Sequence, residues 1–132
     1  SNLFLLGSIY LDKKRYSLSE KWLKKAWELA PFNPMIAVAL GKLYWETDDY
    51  AGADRFFKDA IALKPDLTEL YDKLGDIAYE GEQYTEAMEY YNNFLKQSGN
   101  LEAAKKIALC YKAMNNIEAY ELLMKKIGEK KF

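Results

Sequence analysis

The sequence predicts an all-α protein built as a solenoid of stacked helix pairs, and three observations support this fold class. The motif Leu-Gly-x-x-Tyr occurs at residues 6–10 and 40–44 and returns as Leu-Gly-x-x-Ala at residues 74–78, each time 34 residues further on. Apolar residues recur at helical spacing, and no window alternates with the period of two that a half-buried strand shows. A fixed period of this length is typical of helical repeat proteins.

The first two repeats each contain two amphipathic helices joined by a polar turn. Residues 13–15 interrupt the apolar pattern of the first repeat, and residues 47–49 interrupt that of the second. Pro31 and Pro65 prevent the second helix of each repeat from continuing. These signals predict helices over residues 2–12, 16–29, 34–46 and 50–63.

A third repeat and a degenerate fourth extend the pattern along the rest of the sequence. Residues 80–83 form the polar turn of the third repeat, and residues 115–116 form that of the fourth. The fourth motif, at residues 107–111, fits only if the period shortens by one residue, and terminal repeats of solenoids are commonly atypical. Helices are predicted over residues 67–80, 84–97, 101–113 and 117–129. We expect one domain, 1–132, with repeats at about 1–33, 34–67, 68–100 and 101–132.

A glycine lies inside the first helix of each of the first three repeats. Mid-helix glycine costs about 1 kcal/mol relative to alanine, so three such costs at equal intervals indicate a packing requirement. A residue without a Cβ lets a neighbouring helix approach closely. We expect the small residues of each second helix to form the other side of this contact. The glycines are Gly7, Gly41 and Gly75, and the small residues are Ser19, Ala53 and Ala87.

The residue types present argue against an enzyme. The sequence has no histidine, which is the commonest general base and the commonest metal ligand. It also lacks a glycine-rich phosphate loop and paired metal-ligand motifs. Its one cysteine, Cys110, lies inside a helical pattern, where we expect a buried and unreactive thiol. We therefore predict no catalytic residues, no cofactor and no metal site.

Charge is distributed unevenly along the chain. The net charge is +3 over residues 1–33, −2 over 34–67, −5 over 68–100 and +3 over 101–132. An acidic middle between basic ends argues against a continuous surface for nucleic acid. Ordinary solvated helix faces would give the same pattern, so the charges alone do not identify a partner.

The repeated pattern resembles the tetratricopeptide repeat (TPR), whose signature is W-x2-L-G-x2-Y, then A-x3-F, then a late Ala and Pro. The second repeat is similar to this signature almost throughout, with Ala37 in place of the tryptophan. Its matching residues are Leu40, Gly41, Tyr44, Ala53, Phe57, Ala60 and Pro65. The resemblance implies a right-handed superhelix of helix pairs that acts as a non-catalytic scaffold for protein–protein interaction.

The resemblance also implies a concave groove, lined by the first helix of each pair, that binds a peptide or helix of a partner protein. Trp45 and Tyr79 hold equivalent positions one period apart, so we expect them to be neighbours and to anchor the partner. Packing of both rings against adjacent helices is the alternative. Asp72 and Asp76, one helical turn apart, should face solvent and favour a partner with Lys or Arg. The predicted groove residues are Lys42, Trp45, Glu69, Asp72, Lys73, Asp76, Tyr79, Glu80, Lys105 and Lys106.

One specificity of the family is not expected here. The carboxylate clamp of TPR cochaperones grips a chaperone's acidic C-terminus with Lys, Asn and Arg side chains in the groove. At those positions only Lys73 has a suitable charge. The other residues there are Phe4, Ser8, Ala39 and Glu69.

A second function remains open, in which the chain is a structural or self-associating segment of a longer array. The first helix is apolar on several sides, whereas capping repeats of solenoids have a polar outer face. Such a helix would pair with another copy and give a homodimer. No apolar run approaches the length of a membrane span, and a single cysteine favours a reducing, cytoplasmic location. The apolar residues of this helix are Leu3, Phe4, Leu5, Leu6, Ile9 and Leu11.

Overall fold

The computed structural model describes residues 2–130, which form eight α-helices joined by short turns. This confirms the predicted all-α fold of stacked helix pairs, and every predicted helix end lies within one residue of the observed end. The helices are α1 (Asn2–Asp12), α2 (Tyr16–Leu29), α3 (Pro34–Glu46), α4 (Tyr50–Leu63), α5 (Thr68–Glu80), α6 (Tyr84–Ser98), α7 (Leu101–Ala113) and α8 (Ile117–Glu129).

The helices fall into two compact units. Unit 1, Ser1–Pro65, contains α1 to α4, and unit 2, Asp66–Phe132, contains α5 to α8. Within unit 1, α1 packs against α2, α2 against α3 and α3 against α4, and α1 also touches α3. Unit 2 follows the same sequential order, with α5 against α6, α6 against α7 and α7 against α8. Each unit thus contains two helix pairs, and the organisation of the chain as a single domain stays a prediction.

The two helices of every pair are joined by the same kind of turn. One residue in each turn has a left-handed backbone with φ between 60° and 62°, although none of the four is glycine. The next residue donates its amide hydrogen to a carbonyl five residues earlier, with an N···O distance of 2.8 Å in all four turns. This hydrogen bond defines the Schellman motif at a helix C-terminus. The left-handed residues are Lys14, Asp48, Glu82 and Asn115.

Polar side chains cap the starts of four helices. Asn33 and Asn100 each accept a hydrogen bond from the amide two residues later, at 3.0 Å and 2.9 Å. Asp49 and Asn116 accept from the amide three residues later, at 3.0 Å and 3.2 Å. Each cap contributes about 0.5–2 kcal/mol by satisfying an amide that has no partner inside the helix. Asp49 and Asn116 belong to polar turns that interrupt the apolar pattern, so these turn residues also begin the next helix.

The core of unit 1 is organised around α3, which is buried at residues 36–41 and at Leu43. Phe56 of α4 lies between two aromatic rings. Trp27 of α2 meets it edge-on with ring centroids 5.8 Å apart, and Tyr44 of α3 stacks on it at 5.7 Å. Aromatic pairs of this kind contribute about 0.5–1.5 kcal/mol beyond their buried area. One aromatic cluster therefore joins α2, α3 and α4.

The core of unit 2 contains Ala78, Ala87, Tyr91, Ile107 and Cys110. Cys110 has no exposed surface, and burial raises the pKa of its thiol to about 11. The thiol is protonated at neutral pH, so little of the reactive thiolate is present. The prediction of a buried cysteine is confirmed.

A large side chain of the second helix covers the glycine of the first helix in each of the first three pairs. A Cβ added at any of these glycines would lie 2.7 Å or less from that side chain, which is too close for real atoms. Only a residue without a Cβ therefore fits at this point of closest approach. The pairs are Gly7 with Leu23, Gly41 with Phe57 and Gly75 with Tyr91.

The prediction that the small residues form the other side of this contact is wrong for the atoms nearest to the glycine. Those atoms belong to the large residue one helical turn later. Side chains on a helix tilt toward its N-terminus, so a large residue covers the surface over the preceding turn. The small residue in that preceding turn leaves room for it. Ser19 makes a contact of its own, because its hydroxyl donates to the Gly7 carbonyl at 2.8 Å.

We expect Gly75→Ala to destabilise the protein by up to about 2 kcal/mol net, because the new Cβ would push the Tyr91 ring out of place at a cost of about 1–3 kcal/mol. The helix-propensity gain of alanine, about 1 kcal/mol, opposes this cost but is smaller. Gly128→Ala in α8 is the matched control, since a Cβ there meets nothing within 4 Å. Chemical denaturation should show that Gly128→Ala is neutral or stabilising. Equal effects of the two substitutions would contradict the packing explanation.

Candidate partner-binding site

The ten predicted groove residues are divided between the two units. Lys42 and Trp45 lie on α3 in unit 1, and the other eight lie on α5 and α7 in unit 2. The expectation that Trp45 and Tyr79 are neighbours stays a prediction. Within each unit, the surroundings of each ring can be described separately.

Each predicted anchor ring packs against the helix that follows it. Trp45 is half-buried and meets Tyr50 edge-on, with ring centroids 5.4 Å apart, and it also lies 6.5 Å from Phe57. Tyr79 is half-buried and meets Tyr84 edge-on at 5.3 Å. The two contacts are equivalent, because both partners also lie one period apart. Both rings are therefore held in place by their own helix pair and keep part of their surface exposed.

Asp72 and Asp76 of α5 are bridged by Lys106 of α7. The Lys106 Nζ lies 2.9 Å from Asp72 Oδ1 and 3.0 Å from Asp76 Oδ1. The three side chains are 30%, 35% and 34% exposed, in the order Asp72, Asp76 and Lys106. The two carboxylates keep part of their surface exposed to solvent, as predicted, but both are also paired with a lysine, which was not predicted. Packing of α6 and α7 brings a lysine from the next helix pair onto the acidic pair.

Tyr91 of α6 joins this charged cluster to the core. Its hydroxyl donates to Asp76 Oδ1 at 2.6 Å, and the Lys106 ammonium lies 5.5 Å from the centre of its ring. The same ring covers Gly75. Burial and the hydrogen bond to Asp76 raise the pKa of Tyr91, so its hydroxyl stays protonated and remains a donor. One side chain thus packs the helix pair and orients a carboxylate.

The cluster holds two carboxylates and one ammonium group, so one negative charge is left over. Burial alone would lower the pKa of Lys106, but its hydrogen bonds to Asp72 and Asp76 outweigh that effect and the pKa is raised. Lys106 is therefore charged at any physiological pH. Its pairing with Asp72 was not predicted from the sequence, because the shortened fourth repeat makes Lys105, and not Lys106, the periodic equivalent of Asp72.

The remaining predicted residues of unit 2 surround this cluster with charge. Glu69 and Glu80 are exposed on α5, and Lys73 is partly buried on the same helix. Lys105 pairs with Glu102 one turn away on α7, at 3.1 Å. Among residues 2–130, no group of three or more His, Cys, Asp or Glu side chains is placed to hold a metal ion. The described helices also include none with the length and apolar character needed to cross a membrane. The site therefore offers charge and aromatic surface.

Lys106→Met should lower the free energy of unfolding by up to about 1 kcal/mol, because a partly exposed ion pair contributes that much at most. Lys105→Met is the matched control, since Lys105 is more exposed and pairs only along its own helix. We expect its effect to be below about 0.5 kcal/mol. Urea denaturation of both variants measures this difference. A larger loss for Lys105→Met would show that the bridge to α5 does not stabilise unit 2.

A family comparison identifies the repeats. The family model described as the tetratricopeptide repeat matches residues 1–33, 36–67 and 68–100, which is most of the chain. No curated protein sequence matches the chain significantly.

Solved structures with the same fold include MamA and the first TPR of Spaghetti (RPAP3). A MamA structure from AMB-1 has 21% identity and a TM-score of 0.88, over 96% of this chain and 70% of that chain. Another MamA structure has 26% identity and a TM-score of 0.84, over 97% and 75% of the two chains. The first TPR of Spaghetti (RPAP3), bound to the HSP90 peptide SRMEEVD, has 22% identity and a TM-score of 0.74, over 86% and 90%. These similarities support the fold of stacked helix pairs.

Proposed function

The chain belongs to the tetratricopeptide repeat family, whose members generally bind proteins, and we propose that unit 2 binds a partner segment on the face formed by α5 and α7. The segment is a peptide or a helix that carries Lys or Arg beside an apolar residue. The observation that carries this proposal is the bridge of Asp72 and Asp76 to a single lysine, Lys106.

Two carboxylates that share one ammonium group suit an incoming cation. A guanidinium group is planar and has five N–H donors, so it can pair with carboxylates in a two-pronged geometry that an ammonium cannot match. A partner arginine would therefore compete with Lys106 for Asp72 and Asp76. Asp72 and Asp76 are partly buried, and charges partly removed from water interact more strongly than exposed ones. A partner arginine would therefore interact more strongly with them than with fully exposed carboxylates.

Further residues of α5 extend the same surface. Glu69, Asp72, Asp76 and Glu80 are spaced by three or four residues, so they follow one side of the helix. Tyr79 is held from behind by Tyr84, and its exposed part would supply the apolar contact, since tyrosine is enriched at interface hot spots. A partner segment with one apolar residue between basic residues would place the apolar residue on Tyr79 and the basic residues on these carboxylates.

The HSP90 peptide bound by RPAP3 has the opposite charge to the segment proposed here. That peptide, SRMEEVD, contains three acidic side chains and one arginine. Residues 68–100 of this chain contain seven acidic and two basic side chains. An acidic peptide would be repelled by α5, which supports a basic partner for unit 2.

The proposal extends to the equivalent positions of unit 1. It involves no catalytic reaction. Lys42 and Trp45 on α3 correspond to Asp76 and Tyr79 on α5, one period later. Their part in binding stays a prediction, as does a cytoplasmic location. TPR domains are typically non-catalytic, and a nucleic acid is not proposed as a partner.

Two short synthetic peptides test the proposal, one with a tryptophan flanked by arginines and one with the same tryptophan flanked by glutamates. Titrations should show tighter binding of the arginine peptide than of the glutamate peptide. Added salt should weaken this binding, because exposed charges are screened beyond a Debye length of about 8 Å at physiological ionic strength. The double change Asp72→Asn and Asp76→Asn should abolish the preference. Asp54→Asn is the matched control, because it removes an ion-paired carboxylate from α4. Equal affinity of the two peptides would contradict the proposal.

Lys106→Met gives the opposite expectation for the same arginine peptide. Removing the internal competitor should tighten binding by up to about fivefold, which corresponds to about 1 kcal/mol. The measurement is the dissociation constant at low salt, with Lys105→Met as the control. Weaker binding by Lys106→Met would show that the lysine contacts the partner directly instead of competing with it.

The second candidate function is self-association through α1. Leu5 and Ile9 lie one turn apart on this helix and are 60% and 41% exposed, which gives it an apolar face. A homodimer through this face should appear as a solution mass that rises with concentration. The double change Leu5→Ser and Ile9→Ser should return the mass to that of one chain, and a constant monomer mass for the parent would exclude this function.

A further inference from the structure

The side of α2 that faces away from the core of unit 1 carries exposed apolar side chains. Leu18 is 37% exposed and Leu29 is 76% exposed, while Phe32, in the turn after the helix, is 81% exposed. Trp22 is half-buried on the same side. Folded proteins rarely leave several large apolar side chains together in water unless that surface binds something.

Helical spacing places these side chains in one line. Leu18, Trp22 and Leu29 are separated by four and seven residues, so they project from the same side of α2. At 1.5 Å per residue, the line from Leu18 to Leu29 is about 16 Å long. The buried residues of the helix lie on a different side and are Ser19, Leu23 and Ala26.

Two lysines flank the middle of this line. The ammonium groups of Lys21 and Lys25 each lie 5.1 Å from the centre of the Trp22 ring. Lys24, between them in sequence, is engaged with Glu20 at 3.6 Å. Lys21 and Lys25 make no ion pair with any residue of the described range 2–130, so their charge is available to an incoming group. Residues 1–33 contain six basic and three acidic side chains, which gives this part of unit 1 a positive potential.

We propose that this side of α2, defined by Leu18, Lys21, Trp22, Lys25 and Leu29, is a second docking surface, and that its occupant is an acidic amphipathic helix of a partner protein. Apolar side chains of that helix pack on Leu18, Trp22 and Leu29. A carboxylate beside them meets Lys21 and Lys25 above the indole ring. This surface lies on α2 in unit 1, whereas the proposed α5–α7 site lies in unit 2. It selects acidic partners, whereas the α5–α7 site selects basic ones.

The shape of the surface favours a helix over a lipid membrane. The apolar line is one helix wide and has charged residues on its flank, whereas an interfacial membrane helix presents a broad apolar face. Glu28 is exposed one turn beyond Lys25, and an anionic lipid surface would repel it. A partner helix meets only a narrow strip and is able to leave Glu28 in water. Helix recognition through apolar residues at such spacing is an established mode of protein binding.

A synthetic amphipathic peptide provides the probe. Its leucines are spaced four and seven residues apart, with glutamates beside them, and a second peptide has lysines in place of the glutamates. Fluorescence anisotropy with the full chain should show binding of the glutamate peptide and at least tenfold weaker binding of the lysine peptide. No detectable binding of the glutamate peptide would overturn the proposal.

Matched variants separate the charge contribution from the apolar one. Lys21→Gln with Lys25→Gln should weaken binding by about two- to thirtyfold, and Lys24→Gln should change it by less than about twofold. Leu18→Ser with Leu29→Ser should weaken it by about tenfold, whereas Leu122→Ser, at a leucine of α8 that is 57% exposed, should not. Circular dichroism confirms that each variant is folded. Equal affinity of the parent and both double variants would overturn the proposal.

Two other occupants are outcomes of the same experiment. Vesicles with anionic lipid are tested as a competing ligand for this surface. Tighter binding to vesicles than to the glutamate peptide, lost in both double variants, would overturn the protein proposal in favour of a membrane. The parent chain could instead form oligomers at high concentration while the variant with Lys21→Gln and Lys25→Gln stays monomeric. That result would overturn the proposed partner helix in favour of a second copy of this chain. A monomeric parent that binds the glutamate peptide and not the vesicles supports the proposal.

Discussion

The contact between a mid-helix glycine and the large side chain of the following helix sets the spacing of the first three helix pairs. It recurs at Gly7, Gly41 and Gly75, and in each case the covering residue lies sixteen positions further on. No Cβ fits at these points, so the two helices approach more closely than ordinary side chains would allow. The Schellman turn, repeated with the same φ in every pair, brings the second helix back to this contact.

In unit 2 this packing contact also orients the candidate site. The Tyr91 ring lies on Gly75, and its hydroxyl holds Asp76, which shares Lys106 with Asp72. A change at the glycine would therefore move a carboxylate on the binding surface as well as the core. Because of this link, the stability of unit 2 and the recognition proposed for it depend on the same side chain.

Local signals in the sequence were sufficient for the helices but not for the site. Prolines, polar turn residues and helical periodicity act within a few positions, so the helix ends could be predicted to within one residue. The pairing of Lys106 with Asp72 joins two helix pairs through the packing of α6 and α7. Because the fourth repeat is shortened by one residue, the periodic equivalent of Asp72 is Lys105, so periodicity does not show that Lys106 meets Asp72. The error at Ala53 and Ala87 has the same origin, since sequence spacing does not show that side chains tilt back along their helix.

The two units differ in the charge of their proposed binding surfaces. Unit 1 displays lysines around the exposed line of Trp22 on α2, and unit 2 displays carboxylates along α5. The contact between a mid-helix glycine and a large side chain occurs in both units, so the repeat tolerates this difference. Surface positions of a helical repeat are free to change charge because the packing depends on the glycine, the covering residue and the turn.

A double-mutant cycle between Gly75 and Tyr91 tests this account most directly. Gly75→Ala is introduced into the parent and into a Tyr91→Val chain, which keeps an apolar side chain but lacks the ring atoms nearest to Gly75. If the ring is the reason for the glycine, the alanine should be destabilising in the parent and neutral or stabilising in the Tyr91→Val chain, with a coupling energy of about 1–3 kcal/mol. The same cost of Gly75→Ala in both chains would contradict the account.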